Sequence, residues 1–126
     1  MEHVFYFDGN DEKISWIIET GDSTAKQERE HVQMYKNKVT DLQSKYIAFH
    51  VGLFWAIGVF IIKDMDHIKV KCNEKIMFDH FKLNQEINDE FIKKRMQFIK
   101  QLITQRKLKM EFEVIESQKN IKGKRA

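Results

Sequence analysis

From Tyr46 to Ile62 the chain runs for 17 residues without an Asp, Glu, Lys or Arg. A stretch this apolar has two physical outlets. It spans a bilayer, which takes about 20 predominantly apolar residues, or it forms a helix buried all round inside a globular core. His50, Gly52 and Gly58 interrupt the run, and no basic loop pattern flanks it. The run therefore predicts a buried central helix and no membrane insertion. Everything else in the chain must wrap around it.

The flanking segments supply that wrapping. Residues 3–8 alternate around Val4 and Tyr6 and read as a strand ending on Asp8-Gly9. Lys13 to Thr20 is a second strand with Ile14, Trp16 and Ile18 on one face, joined to the first by turn residues. Gly21 to Lys26 reads as a loop, and Arg29 to Lys36, alternating through Val32 and Met34, as a third strand or, in the competing reading, a helix start. After the central helix, His67 to Cys72 is a fourth strand, followed by a short helix containing Ile76, Met77 and Phe81. Ile87, Phe91, Phe98 and Leu102 keep helical spacing in a long second helix, capped by Asn84 or Asn88. Leu108 to Glu116 is a fifth strand. Three leading strands followed by crossovers give an α/β (α+β) mixed five-stranded sheet, βββ-α-β-α-β, with helices packed on it.

The 126 residues suffice for one domain, residues 1–116, followed by a basic, mobile tail at 117–126. A single cysteine, Cys72, forms no internal disulfide, and the N-terminus shows no leader pattern, so the expected location is cytoplasmic. Charge is uneven. Residues 1–91 hold 11 Lys/Arg against 16 Asp/Glu, whereas residues 92–126 hold 11 against 3. A basic end attracts phosphates over roughly 8–10 Å at physiological salt.

The order of elements and four local strings resemble the ribonuclease H type 1 family. "KYIAFHVGLFWAI" is similar to that family's central helix, "HIKVKCNEKIMFDHF" to its fourth strand and following helix, "LKMEFEVIESQKN" to its last strand, and "YFDGN" to its first. Residues 10–44 align poorly with it. The resemblance implies two-metal hydrolysis of RNA in an RNA–DNA hybrid, with four carboxylates around two Mg²⁺. Mg²⁺ takes oxygen ligands, and two such ions about 4 Å apart require several negative charges. The family-equivalent positions here are Asp8, Lys45, Asn73 and Lys124. One carboxylate remains, and two of the other three positions carry cations.

The expectation is thus a catalytically degenerate ribonuclease H-like domain. Asp8 is read as a turn residue or the ion-pair partner of Lys45, with no cofactor expected. Such a domain binds an RNA–DNA hybrid or another double-stranded nucleic acid, or a protein partner. Lys45, Asn73, Lys75, Lys122, Lys124 and Arg125 are the candidate phosphate contacts. One alternative keeps an active nuclease dependent on Mg²⁺ or Mn²⁺, with shifted carboxylates Asp8, Asp41, Glu74 and Glu116. Another is a structural homodimer paired through a sheet edge. His31 and His80 lack partners at metal-ligand spacing, His67 and Cys72 fall on opposite strand faces, and His50 reads as a satisfied core residue. Phe5, Phe7, Phe49 and Phe60 read as core.

Overall fold

In the computed structural model, which describes residues 1–116, the chain opens with two hairpins. β1 (Glu2–Gly9) pairs antiparallel with β2 (Lys13–Thr20), placing Asp8 opposite Ser15. The turn is closed by Asn10, whose Oδ1 accepts from the Glu12 and Lys13 amides at 2.8 and 3.0 Å. The next turn sets Thr20 opposite Ser23 across Gly21, which sits at φ +58°. β3 (Ser23–Glu30) must then run back along β2.

This corrects the sequence expectation of a loop at Gly21–Lys26 and a strand at Arg29–Lys36. β3 is an edge strand without a buried residue, so no apolar alternation marks it. The alternating Val32 and Met34 are instead 62% and 70% exposed, in turns where the Tyr35 and Lys36 amides donate to the Val32 carbonyl.

The uncharged run forms most of α1 (Asp41–Gly58), which starts earlier than the run itself. Thr40 caps it: the Thr40 hydroxyl accepts from the Gln43 amide at 3.0 Å, and the Gln43 side chain accepts from the Thr40 amide at 2.9 Å. The helix stops at Gly58. Phe60 then adopts φ +65°, and the Ile61 and Ile62 amides turn back onto the Ala56 carbonyl. That reversal buries Ile62 and leaves Phe60 78% exposed, so Phe60 is not core as expected. Among the described residues no helix is long and apolar enough to cross a membrane.

β4 (His67–Cys72) lies parallel to β1, and β5 (Lys109–Val114) parallel to β4. The sheet order is β3-β2-β1-β4-β5. Between these parallel strands run α2 (Lys75–Leu83) and α3 (Glu90–Arg106). The cap of α3 is Asp89, whose side chain accepts from the Ile92 amide, rather than either asparagine. Asn84 instead terminates α2 at φ +55°.

The core lies between the sheet and the helices. Phe5 and Phe7 of β1 meet Phe49 of α1 at 5.5 and 5.2 Å, and the ring contacts continue to Phe81 at 5.1 Å and on to Phe112 at 4.7 Å. Phe5, Phe7 and Phe49 thus match their expected place.

At the opposite end of β1, His3 is buried between Thr20 Oγ1 at 2.6 Å and Asp66 Oδ2 at 2.8 Å. Burial works to raise the Asp66 pKa. The His3 and Lys63 hydrogen bonds and the N-terminal charge outweigh it, and the net pKa lies below the ordinary value. His50 is lowered to about 4, by burial first and by Arg95 second. In both cases the unfolded chain binds protons that the folded chain refuses, so stability falls with pH. The loss begins as pH drops below about 6.5 through His50, and resumes below about 3.9 through Asp66. Urea midpoints at a series of pH values should be flat between about pH 7 and 8 and fall toward pH 4. A midpoint unchanged over that span contradicts the linkage.

Candidate nucleic-acid interface

The site assembles where the parallel strands end, the usual location of ligands on open α/β sheets. The β1–β4 register pairs Tyr6 with Lys71, and the same offset sets Asp8 level with Asn73. Beside it, the Ile115 amide just past β5 donates to the Cys72 carbonyl at 2.7 Å. Over this end lies the first turn of α1. Gly9 permits the approach: a Cβ there would collide with Ser44 Oγ and come within 2.9 Å of the Ser44 carbonyl group.

Polar contacts then gather three helix starts at one place. Lys45 Nζ donates to Glu74 Oε1, at the cap of α2, at 2.7 Å. Gln43 Nε2 donates to Asp89 Oδ2, at the cap of α3, at 3.0 Å. His31 Nε2 lies 2.7 Å from Ser44 Oγ and 3.0 Å from the Asn10 carbonyl oxygen, fastening the first hairpin to α1. The helix starts bring unpaired amides and positive dipole ends, which favour anions. Ser44 and Gln43 are not marked as site residues by the sequence, and His31 enters it only as a histidine without metal-ligand spacing; their site contacts reach residues distant in the chain.

The expected site residues are only partly brought together. Asp8 is not the partner of Lys45. Asp8 lies within β1 opposite Ser15, and its Oδ1 accepts from the Gly9 amide at 2.9 Å. Lys45 is buried, 9% exposed, and its ion pair is made with Glu74. Asn73 Oδ1 is buried with no hydrogen-bond partner among the described residues. Lys75 is exposed and bonded to both Asp79 oxygens at 3.1 Å. Asp41 is exposed in the first turn of α1, and Glu116 is exposed beyond β5. Lys122, Lys124 and Arg125, and the tail expected at 117–126, lie outside the described residues.

Behind Lys45, the Tyr46 hydroxyl donates to His80 Nδ1 at 2.7 Å. Burial raises the phenol well above its usual pKa, with Cys72 adding to the effect. His80 is lowered, by burial and then by Lys100, so it is a neutral acceptor. Burial pushes the Cys72 thiol up to about 12, which leaves it protonated and inert.

These residues do not fit two Mg²⁺ ions. Asp8 is one carboxylate, Glu74 is occupied by an ammonium group, and the amide oxygen of Asn73 carries no formal charge. Among the described residues no three Asp, Glu, His or Cys side chains come together as a metal site.

No family model and no curated protein sequence matches the chain. Solved structures do. The ribonuclease H1 of Halobacterium salinarum superposes with a TM-score of 0.77 at 16% identity, over 95% of this chain and 89% of that one. LC11-RNase H1 in complex with an RNA/DNA hybrid gives a TM-score of 0.77 at 16% identity, with 95% and 89% coverage. A foamy viral protease–reverse transcriptase (dRH) in complex with double-stranded DNA gives 0.60 at 13% identity, over 91% of this chain and 21% of that one. The strand order, the central helix and these superpositions agree: this chain has the ribonuclease H fold.

Proposed function

We propose that this chain is a catalytically degenerate ribonuclease H-like domain that holds a nucleic-acid duplex, an RNA–DNA hybrid foremost, without cutting it. The observation that carries this reading is the Lys45–Glu74 ion pair of 2.7 Å at the strand ends. An ammonium group there neutralises the second acid near Asp8 and repels divalent cations. The fold neighbours bound to hybrid or double-stranded DNA support a duplex as the ligand. Three helix starts meet there and turn backbone amides and positive dipole ends toward a phosphate. A phosphate entering the site competes with Glu74 for Lys45.

The test is anisotropy titration of a labelled hybrid, run beside a cleavage assay in Mg²⁺ and Mn²⁺. Binding should weaken steeply with added salt, with a dissociation constant on the order of micromolar at physiological salt. The hybrid should stay intact. Metal-dependent cleavage that disappears in Asp8→Asn establishes the nuclease alternative instead. Absence of binding to hybrid, double-stranded RNA and double-stranded DNA at low salt removes the nucleic-acid role.

A further inference from the structure

Along the N-terminal halves of α1 and α3 lies a cleft of about 650 Å³. It is lined by Tyr35, His50, Phe91, Lys94, Arg95 and Phe98. Four rings and two cations face it, with no acid. The Arg95 guanidinium lies 5.9 Å from the Tyr35 ring centre and 5.5 Å from that of Phe91. Its nitrogens donate to His50 Nδ1 at 3.1 Å and to the Tyr35 hydroxyl at 3.2 Å. Arg95 is thus held by rings and neutral acceptors, and among the described residues no carboxylate pairs with it. Lys94 is exposed and makes no ion pair among the described residues.

His50 and Phe98 stand nearly parallel, at 6° with centres 6.1 Å apart, and Phe98 is 47% exposed. This corrects the expectation that His50 is a core residue. Because its Nδ1 accepts from Arg95, the proton of the neutral ring sits on Nε2 and offers a further donor. The lowered pKa, about 4, keeps that ring neutral near pH 7.

We propose that this cleft binds a nucleoside phosphate, its base stacked against Phe98 and His50 and its phosphate held by Lys94 and Arg95. Flat open rings beside unmatched cations complement a planar anion, and a purely apolar occupant would leave both charges without a partner. The same unit occurs as a free nucleotide or at an end of a single strand. The cleft shares no residue with the duplex site, so either reading survives failure of the other.

The experiment is amide and histidine NMR of the full chain titrated with adenosine monophosphate, a tetra-adenylate single strand, adenosine and ribose 5-phosphate. Saturable shifts at His50 and around Lys94–Phe98 are expected with the monophosphate or the tetramer, and binding through the tetramer alone identifies a chain end as the source. Phe98→Ala and Lys94→Gln, both at exposed positions, should each weaken binding by about tenfold while leaving the spectrum folded. The proposal is overturned if neither phosphate ligand shifts these signals at about 1 mM. It is also overturned if adenosine or ribose 5-phosphate binds as well as the monophosphate, or if both variants bind unchanged.

Discussion

Gly52→Ala should destabilise the domain by about 1–3 kcal/mol, the range for overpacking a filled core. The reason is geometric. A Cβ at this position lands 2.7 Å from Phe5 Cζ and 2.9 Å from two ring carbons of Trp16. Phe5 and Trp16 are 1% and 0% exposed, so neither ring has room to retreat. α1 must then lift off β1 and β2, loosening the Phe5–Phe7–Phe49 contacts around it. Gly58→Ala is the matched control. Nothing lies within 4 Å of a Cβ there, and the position is helical. It should leave stability unchanged or raise it by up to about 1 kcal/mol, through loss of unfolded-state freedom and better helix propensity. Urea denaturation of both variants decides the matter. Equal midpoints would mean that contact at Gly52 does not set the helix–sheet distance.

The ion pair should respond asymmetrically to removal of either partner. Glu74→Ala strands a buried ammonium group and should cost about 1–3 kcal/mol, below the usual figure for a fully buried pair because the Glu74 side chain is 35% exposed. Lys45→Met removes the buried charge, keeps the stem volume and lets Glu74 turn to water. It should change stability by less than about 1 kcal/mol. The two variants should also move duplex binding in opposite directions. Glu74→Ala frees an ammonium group for phosphate and should steepen the salt slope by about one unit. Lys45→Met should weaken binding. If Lys45→Met is the more destabilising of the two, or if both leave the salt slope unchanged, the pair does not act as described.

Legibility followed burial. The run from Tyr46 through Ile62 and the strands holding Phe5, Trp16 and Val70 were readable because their side chains face one dry core. β3 was misread because an exposed edge strand carries no such pattern, and its place comes from the Gly21 turn. The α3 cap was misjudged by a residue, since Asn84, Asn88 and Asp89 are all acceptable caps and packing chose among them. At the site, the presence of Lys45 and Asn73, rather than acids, beside Asp8 is legible in the string itself. The partner of Lys45 was not, because Asp8 and Glu74 were both within plausible reach.

The sequence by itself determined the element order and the buried helix, because periodicity and residue identity are local properties. Only the tertiary structure decided that Glu74 takes the Lys45 ammonium, that Gln43 of α1 reaches the Asp89 cap of α3, and that Arg95 sits between Tyr35 and Phe91. Those are contacts across 29, 46 and 60 positions of chain. Their energies depend on distance and burial, which one-dimensional order does not specify until the sheet has closed against α1.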